Sequence, residues 1–196
     1  TLEFLLDEKG DFYFLEVNTR LQVEHPVTEL VTGVDLVEMQ LLVASGQQLP
    51  ISTDSIQRRG HAIECRVCAE DVFNDFLPSI GTIREVIEPT GDGIRVDSAL
   101  YAGMPVTLYY DPMVAKIITW GENRTEAIAR MLQALDSTHI AGIATTIPFC
   151  QFVLEHPAFI SGNFSTNFVK EHWSPELLQM DSSLIEVVAA SASAVR

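Results

Sequence analysis

Residues 16–25 of the chain read EVNTRLQVEH, and this stretch decides how the rest of the sequence is interpreted. In an extended segment, alternate side chains point to the same side of the strand. A solvated strand face is the ordinary explanation of such a polar pattern. This face, however, holds no lysine or serine and only groups suited to binding metals or anions, so a functional site stays an equally open explanation. The face would carry two acids, two amides and an arginine, at Glu16, Asn18, Arg20, Gln22 and Glu24.

The segment before this stretch predicts a β-hairpin, because apolar runs at 1–7 and 12–17 flank a turn that contains glycine. Pairing of the two strands would bring Glu3 opposite Glu16. Two carboxylates about 4 Å apart repel each other by roughly 4 kcal/mol at an effective dielectric constant near 20. A shared cation or a raised pKa relieves this repulsion, so the pair indicates a cation site or a protonated acid.

Together, the hairpin and the alternating stretch predict a magnesium–nucleotide site. The carboxylates of Glu3 and Glu16 and the carbonyl of Asn18 are hard oxygen ligands, which Mg²⁺ prefers, and phosphate oxygens would complete its shell. The guanidinium fork of Arg20 suits a phosphate. Glu24, further along the chain, is placed to act as a general base.

The remaining sequence predicts an α+β fold with grouped strands followed by helices. The helical pattern after Pro26 has a capping pair at Asp35 and Glu38, and a polar loop at 49–60 follows it. Thr125 is the predicted N-cap of the first late helix, and the short consecutive strands favour an antiparallel sheet. Strands are predicted at 61–69, 82–88, 93–98, 105–110 and 113–120, and helices at 125–137, 146–155 and 165–173.

Composition and charge limit the classes of function. The 196 residues are 47% hydrophobic, which is ordinary for a globular protein, and 12 basic against 27 acidic residues give a net charge of −15. A chain this acidic lacks the electrostatic footprint of nucleic-acid or anionic-membrane binding. Three cysteines are too few for a disulfide framework. We also expect no transmembrane helix and no signal peptide, and a start at Thr1 within a strand suggests a piece of a longer polypeptide.

Seven motifs along the chain together are typical of one known family: EVNTRLQVEHPVTE (16–29), RGHAIECR (59–66), FLPSIG (76–81), GIRVDS (93–98), YDPMVAK (110–116), GENR (121–124) and STNF (165–168). On these motifs the sequence resembles the biotin carboxylases, the ATP-grasp component of biotin-dependent acyl-CoA carboxylases such as acetyl- and propionyl-CoA carboxylase. The resemblance covers residues 1–173, which correspond to the C-terminal part of the ATP-grasp domain and the whole biotin carboxylase C-terminal domain.

The resemblance implies roles for the candidate site residues. It makes Glu3, Glu16 and Asn18 ligands of Mg²⁺ or Mn²⁺, and it makes Leu5 and Phe168 apolar contacts of adenine, with Glu3 and Glu16 also counted in the ATP site. The bicarbonate and biotin subsite would consist of Arg20, Gln22, Val23 through its backbone, Glu24 and Arg95. Within it, Arg20, Glu24 and Arg95 would be catalytic, with Glu24 deprotonating bicarbonate and Arg95 stabilising the biotin enolate.

The resemblance also implies an activity and partners. Family members use ATP and bicarbonate to form carboxyphosphate and then carboxylate the ureido nitrogen of biotin, which is held on a carrier outside this chain. The implied partners are the biotin carboxyl carrier domain, the carboxyltransferase and a second copy, with Trp120 and Arg124 near the dimer contact. We expect a cytoplasmic protein, or one of the mitochondrial matrix in a eukaryote. Because the Rossmann-like domain, the Gly-rich lid and the biotin-accepting domain are absent, we expect this chain alone to be inactive.

Two other interpretations stay open. One is another ATP-grasp ligase, such as a chain like carbamoyl phosphate synthetase, although QVEHP together with GIRVDS favours biotin. The other is a non-catalytic folding or dimerisation module. The resemblance to biotin carboxylases implies the C-terminal portion of an ATP-grasp domain at 1–56, the biotin carboxylase C-terminal domain at 57–175 and a tail at 176–196.

Other noticeable residues are more simply explained by structure than by chemistry. The C-x-x-C at 65–68 has its thiols on opposite sides of a strand, which argues against a metal or redox site. Glu64 and Arg66 are expected to form a structural ion pair. Lys116 lies in an apolar strand, where we expect burial beside an acid such as Asp111.

Overall fold

A computed structural model describes residues 1–178, so residues 179–196 of the predicted tail lie outside the described part. The fold is α+β, as predicted, with antiparallel strand pairs and helices grouped towards the end. The strands are β1 Leu2–Leu6, β2 Phe12–Val17, β3 His61–Cys68, β4 Glu70–Asp71, β5 Leu77–Pro78, β6 Gly81–Thr82, β7 Glu85–Ile87, β8 Ile94–Ser98, β9 Pro105–Val106, β10 Met113–Gly121 and β11 His139–Ala141. The helices are α1 His25–Thr32, α2 Leu36–Ala44, α3 Arg124–Ser137, α4 Ile147–Glu155, α5 Pro157–Ser161 and α6 Phe168–His172, with 3₁₀ turns at Thr53–Ser55 and Pro175–Leu178.

The predicted hairpin is present as the antiparallel pair β1–β2. Its turn is held by Asp7, whose Oδ1 accepts hydrogen bonds from the backbone N–H groups of Lys9 and Asp11, both at 2.9 Å. Gly10 adopts a positive φ of 87°, which a residue with a Cβ adopts only at a cost. Most side chains of both strands are exposed, including the apolar ones.

A three-stranded antiparallel sheet in the order β3–β10–β8 is the centre of the second half of the chain. Its register aligns residues in rows across the strands. Because side chains alternate between the two faces, every second row points to the same side. One face carries a row of Arg66, Lys116 and Asp97, and the next row on that face contains Glu64, Ile118 and Arg95.

The two faces of this sheet pack against different helices. The apolar face of β3 and β10 contacts α3, and the buried stripe of α3 contains the fully buried Met131. Helix α1, which follows the 16–25 stretch directly, contacts β3 and β10. The main core consists of Ile63, Cys65, Val67, Ala115, Ile117, Ala127, Ile128, Met131, Ala134, Leu135 and Leu154.

Several predicted boundaries were wrong in detail. The 82–88 strand is divided into β6 and β7, and the 105–110 strand is confined to β9. The N-cap of α3 is Asn123 and not Thr125, because the Asn123 side chain accepts the hydrogen bond from the Glu126 N–H. The predicted cap at Asp35 is confirmed, since its Oδ1 accepts from the Glu38 N–H at 2.8 Å. No helix in residues 1–178 is long and apolar enough to cross a membrane.

Candidate functional site

The carboxylates of Glu3 and Glu16 lie opposite each other in the hairpin register, as predicted. The side-chain nitrogen of Asn18 donates to Glu3 Oε1 at 2.6 Å and to Glu16 Oε1 at 3.2 Å. Gln22 also reaches Glu3 Oε1, with its amide nitrogen at 3.4 Å. Four of the predicted side chains therefore converge where β1, β2 and the following loop meet.

This cluster fits a divalent cation that is shared with a nucleotide. Two carboxylates and one amide give only part of an octahedral Mg²⁺ shell, and phosphate oxygens and water supply the rest in nucleotide sites. Within residues 1–178, no three His, Cys, Asp or Glu side chains group as metal ligands. A rotation of the Asn18 amide would exchange its nitrogen for its oxygen, and which of the two faces a cation depends on the bound state.

The stretch 18–24 is not an extended strand, so the alternation argument was wrong beyond Val17. The strand ends there, and a turn at residues 23–24 leads directly into α1 at His25. Arg20 is exposed, and its Nη1 donates to the Leu21 carbonyl at 3.1 Å. The loop nevertheless brings Gln22 back to the carboxylate pair, which a straight strand could not do.

Glu24 pairs with an arginine that the sequence did not identify as functional. Its Oε2 lies 2.9 Å from Arg66 Nη2, across 42 residues of sequence. Both side chains are about half exposed, at 50% and 49%. The expected Glu64–Arg66 contact also exists, at 3.5 Å, but it is the longer of the two.

Arg95 has different partners. Its Nε and Nη2 bind both oxygens of Asp97, at 2.8 and 3.0 Å, and its Nη1 binds Glu29 Oε2 at 2.6 Å. Asp97 and Glu29 raise the pKa of the Arg95 guanidinium against the opposing effect of burial. Burial acts to raise the pKa of Asp97, but the hydrogen bonds and charge of Arg95, with help from Lys116, hold it below its ordinary value.

Glu29 is a buried acid that sequence reasoning missed. It lies in α1, where its Oε1 accepts from the Leu36 N–H at 2.6 Å and its Oε2 binds Arg95. It therefore connects α1, the start of α2 and β8. The available signal was a glutamate between apolar residues on a short helix, a place where an unpaired charge is costly.

Lys116 is buried as predicted, but its partner is not Asp111. Its Nζ donates to the Val23 carbonyl at 2.6 Å and lies 3.4 Å from Asp97 Oδ2 and 3.9 Å from Glu64 Oε2. Burial raises the pKa of Glu64, although Lys116 and Arg66 act in the opposite direction. The sheet thus contacts the loop that carries the candidate catalytic residues.

The two residues predicted to contact adenine have different surroundings. Leu5 lies in β1 and is exposed. Phe168, the first residue of α6, is buried and packs edge-on against His156 and His172 and near Phe164.

The remaining candidates make contacts within the described part of the chain. Cys65 is buried in the core, where a hydrogen bond to Cys150 and burial raise its pKa, and burial raises the pKa of Cys68 to about 11. Trp120 Nε1 donates to the Arg59 carbonyl at 3.0 Å. Arg124 donates to the Phe159 carbonyl at 2.6 Å and lies over the Phe159 ring.

Models of known protein families match both halves of the chain. Residues 1–52 match the family model of the carbamoyl-phosphate synthase L chain, ATP binding domain, so the carboxylate cluster lies in a domain of the ATP-binding class. Residues 64–171 match the family model of the biotin carboxylase C-terminal domain. The chain therefore belongs to the biotin carboxylase family.

Curated relatives agree with this assignment. A biotin carboxylase of Nostoc sp. is 51% identical over 171 residues, which are 87% of this chain and 38% of the relative. Biotin carboxylase 1 of Bacillus subtilis is 50% identical over 88% of this chain and 38% of its own length. The propionyl-CoA carboxylase alpha chain of Ruegeria pomeroyi is 42% identical, over 100% of this chain and 32% of the relative. The chain thus spans about 38% of the two biotin carboxylases.

Solved structures share the fold. The biotin carboxylase domain dimer of 2-oxoglutarate carboxylase from Hydrogenobacter thermophilus, in complex with MgADP, ADP and bicarbonate, gives a TM-score of 0.85 at 46% identity, over 87% of this chain and 38% of that one. The biotin carboxylase–βγ-ATP complex from Campylobacter jejuni gives a TM-score of 0.83 at 48% identity, with the same coverage.

Proposed function

We propose that this chain is part of a biotin carboxylase that uses ATP and bicarbonate to carboxylate the ureido nitrogen of biotin for an acyl-CoA carboxylase. The observation that carries the proposal is the 2.9 Å pair of Glu24 and Arg66, found together with the Glu3–Glu16–Asn18 cluster in a member of this family. The Glu24–Arg66 pair brings a possible general base into contact with a cation. The cluster supplies carboxylate and amide ligands for the metal of a nucleotide site.

The residues divide into a nucleotide part and an anion part. Glu3, Glu16 and Asn18 would hold Mg²⁺ or Mn²⁺, which neutralises charge on the transferring phosphoryl group when bound. Leu5 and Phe168 would contact adenine. Arg20, Gln22 and the Val23 backbone would hold bicarbonate. Glu24 takes the bicarbonate proton, so that a bicarbonate oxygen attacks the γ-phosphorus, ADP leaves and carboxyphosphate forms.

We propose that Arg95 has the charge-stabilising role near biotin that the resemblance gives it. Its side chain is 34% exposed, so part of the guanidinium can face a bound substrate. Three of its N–H groups are directed at two carboxylates, which fix its orientation before substrate binds. A group held in this way stabilises developing charge without reorganisation, and Arg66, in contact with Glu24, is a second cation at the subsite.

Organisation and partners are proposed on the same basis. We assign residues 1–56 to the ATP-grasp domain, 57–175 to the biotin carboxylase C-terminal domain and 176–196 to a tail. The partners are a biotin carboxyl carrier domain, a carboxyltransferase and a second copy of the chain, the last supported by the dimer of the Hydrogenobacter relative. The match through the whole chain to a propionyl-CoA carboxylase alpha chain favours an acyl-CoA carboxylase. Bacterial relatives support a cytoplasmic location, and for a eukaryotic source the proposed location is the mitochondrial matrix.

The test is phosphate release from ATP and bicarbonate by the full-length protein that carries this chain, with and without free biotin. We expect cleavage to need bicarbonate and to be strongly stimulated by biotin. Cleavage that is indifferent to biotin would favour another ATP-grasp ligase, the class that the match of residues 1–52 also allows. Absence of any cleavage would favour the non-catalytic module. We expect residues 1–196 alone to be inactive.

The role of Arg95 can be tested in the same assay. In Arg95→Ala, biotin carboxylation is expected to fall on the order of 100-fold, the usual cost of removing one preorganised group that stabilises developing charge, and far more than bicarbonate-dependent ATP cleavage. Arg66→Ala is the comparison variant, and thermal unfolding of both variants separates loss of activity from loss of folded protein. Equal losses of carboxylation and ATP cleavage in Arg95→Ala would argue against this role.

A further inference from the structure

One buried lysine holds the loop of residues 18–24, which carries the proposed bicarbonate ligands. Lys116 lies in the middle of the central strand β10, in the row between Arg66 and Asp97. Its side chain is 10% exposed. A lysine ammonium is rarely buried without partners, and here the Val23 carbonyl is its closest partner, at 2.6 Å.

Two consecutive peptide groups of the loop are fixed through their carbonyls. The Val23 carbonyl is held by Lys116, and the Gln22 carbonyl accepts from the His25 N–H at 3.3 Å and lies 2.8 Å from His25 Nδ1. In a trans peptide the N–H points opposite to the carbonyl. Holding both carbonyls therefore directs the N–H groups of Val23 and Glu24 away from Lys116 and His25.

These two N–H groups are available for a ligand. Within residues 1–178, neither Val23 N–H nor Glu24 N–H has a recorded hydrogen-bond acceptor in the protein. Both precede the eight-residue helix α1, whose N-terminus carries a partial positive charge. Consecutive free backbone N–H groups of this kind form an anion-binding concavity. The side chain of Glu24 extends from the same peptide and meets Arg66.

Glu64 provides one of the negative charges beside Lys116 and also contacts Arg66. Its side chain is 5% exposed, with Oε2 at 3.9 Å from Lys116 Nζ and Oε1 at 3.5 Å from Arg66 Nε. Oε2 has no hydrogen-bond partner in the described part of the chain. The cluster thus contacts the Val23 peptide through Lys116 and the Arg66 guanidinium through Glu64.

We propose that Lys116 is a positioning residue for the bicarbonate subsite, acting through the Val23 carbonyl, with Asp97 at 3.4 Å and the more deeply buried Glu64 at 3.9 Å balancing its charge. The proposal rests on the function proposed above and adds a residue that touches neither substrate. Without Lys116, the peptide between Val23 and Glu24 can rotate. The backbone donors and the Glu24 carboxylate then lose their common orientation towards one anion.

The experiment uses Lys116→Met in the full-length protein, with Lys9→Met as the matched control because Lys9 is exposed in the hairpin turn. We expect kcat/KM for bicarbonate to fall on the order of 10- to 100-fold, as misplacement of a binding group does. The KM for ATP should stay within about twofold, because the nucleotide residues do not contact Lys116. Lys9→Met should match the wild type.

A second variant separates positioning from stability. Lys116→Met removes one of the two cations beside Glu64 and leaves Arg66 as the other, and Glu64→Gln removes the carboxylate charge. We expect Lys116→Met/Glu64→Gln to recover the melting temperature but not the kcat/KM for bicarbonate, each measured against Glu64→Gln alone. Recovery of both quantities would overturn the proposal, as would equal losses for ATP and bicarbonate in Lys116→Met. If the wild type itself lacks bicarbonate-dependent cleavage, the proposed function fails first.

Discussion

The hairpin β1–β2 and the sheet β3–β10–β8 both carry site residues, but they hold them in different ways. The hairpin places Glu3 and Glu16 by local pairing, and its side chains are largely exposed. The sheet places Arg66 and Lys116 between a buried core and helix α1, with partners far away in sequence. The proposed metal ligands therefore depend on short-range pairing, whereas the proposed anion subsite depends on the tertiary fold.

The largest expected effect is on the free energy of unfolding, and it tests whether the sheet is packed more firmly than the hairpin. Met131→Ala removes a fully buried side chain of α3 and should cost roughly 2–5 kcal/mol. Leu15→Ala in the exposed β2 should change stability by no more than about 0.5 kcal/mol. Urea unfolding of residues 1–196, followed by circular dichroism, measures both. Similar losses would mean that the hairpin is as firmly packed as the sheet.

The next effect concerns the hairpin alone. Glu16→Gln in the full-length protein removes one anionic ligand and should lower ATP cleavage on the order of 100-fold, equivalent to about 2.7 kcal/mol. Excess Mn²⁺ should restore part of the loss if weakened metal affinity is its cause. Glu8→Gln in the exposed turn is the control. Unchanged cleavage in Glu16→Gln would remove this carboxylate from the metal site.

A smaller effect is expected where the sheet meets α1. The Arg95–Glu29 hydrogen bond, at 2.6 Å with Glu29 only 9% exposed, should give a coupling free energy of about 2 kcal/mol in a double-mutant cycle. The cycle compares Arg95→Ala, Glu29→Gln and the double variant by urea unfolding. Additive losses would show that α1 is held to β8 by apolar packing and not by this pair.

The smallest effect is the pH dependence of two carboxylates on the same sheet face. Asp97 has a lowered pKa, so its stabilisation is present above the ordinary value of 3.8 and is lost as the pH falls through the folded-state pKa. Glu64 has a raised pKa, so its contribution is present below the ordinary value of 4.5 and is lost as the pH rises through the folded-state pKa.

Two variants test the opposite pH dependences of the Asp97 and Glu64 contributions to stability. Asp97→Asn should be less stable than the wild type at neutral pH, and the difference should shrink in acid. Glu64→Gln should gain stability relative to the wild type as the pH rises above 4.5. Urea unfolding across the acidic range measures both differences. Parallel pH profiles for the two variants would contradict the assignment of the shifts.

Local features were predictable from the sequence, since neighbouring residues determine them. The hairpin placed Glu3 against Glu16, and the Asp35 cap followed from one side chain and the next turn. Even here, Asn123 replaced Thr125 as a cap, because both residue types accept the same hydrogen bond and only the backbone path selects one.

The tertiary contacts of the site were not predictable from spacing. Glu24 meets Arg66 across 42 residues, and Val23 meets Lys116 across 93. The polar alternation of 16–24 suggested a continuing strand, but the chain turns at residues 23–24 because α1 begins at His25. The burial of Lys116 could be inferred from its apolar strand, whereas its acidic partners depend on the order β3–β10–β8, which no local pattern specifies.

That strand order has a consequence for synthesis on the ribosome. Strand β3 pairs in this sheet with β10, which starts at Met113, so the segment after Cys68 must be translated before β3 finds its partner. At 5–20 residues per second this delay lasts roughly 2 to 10 s. During that time the alternating apolar side chains of β3 lack the partner strand that covers them. Nascent chains that stop before β10 are therefore the ones we expect chaperones to retain.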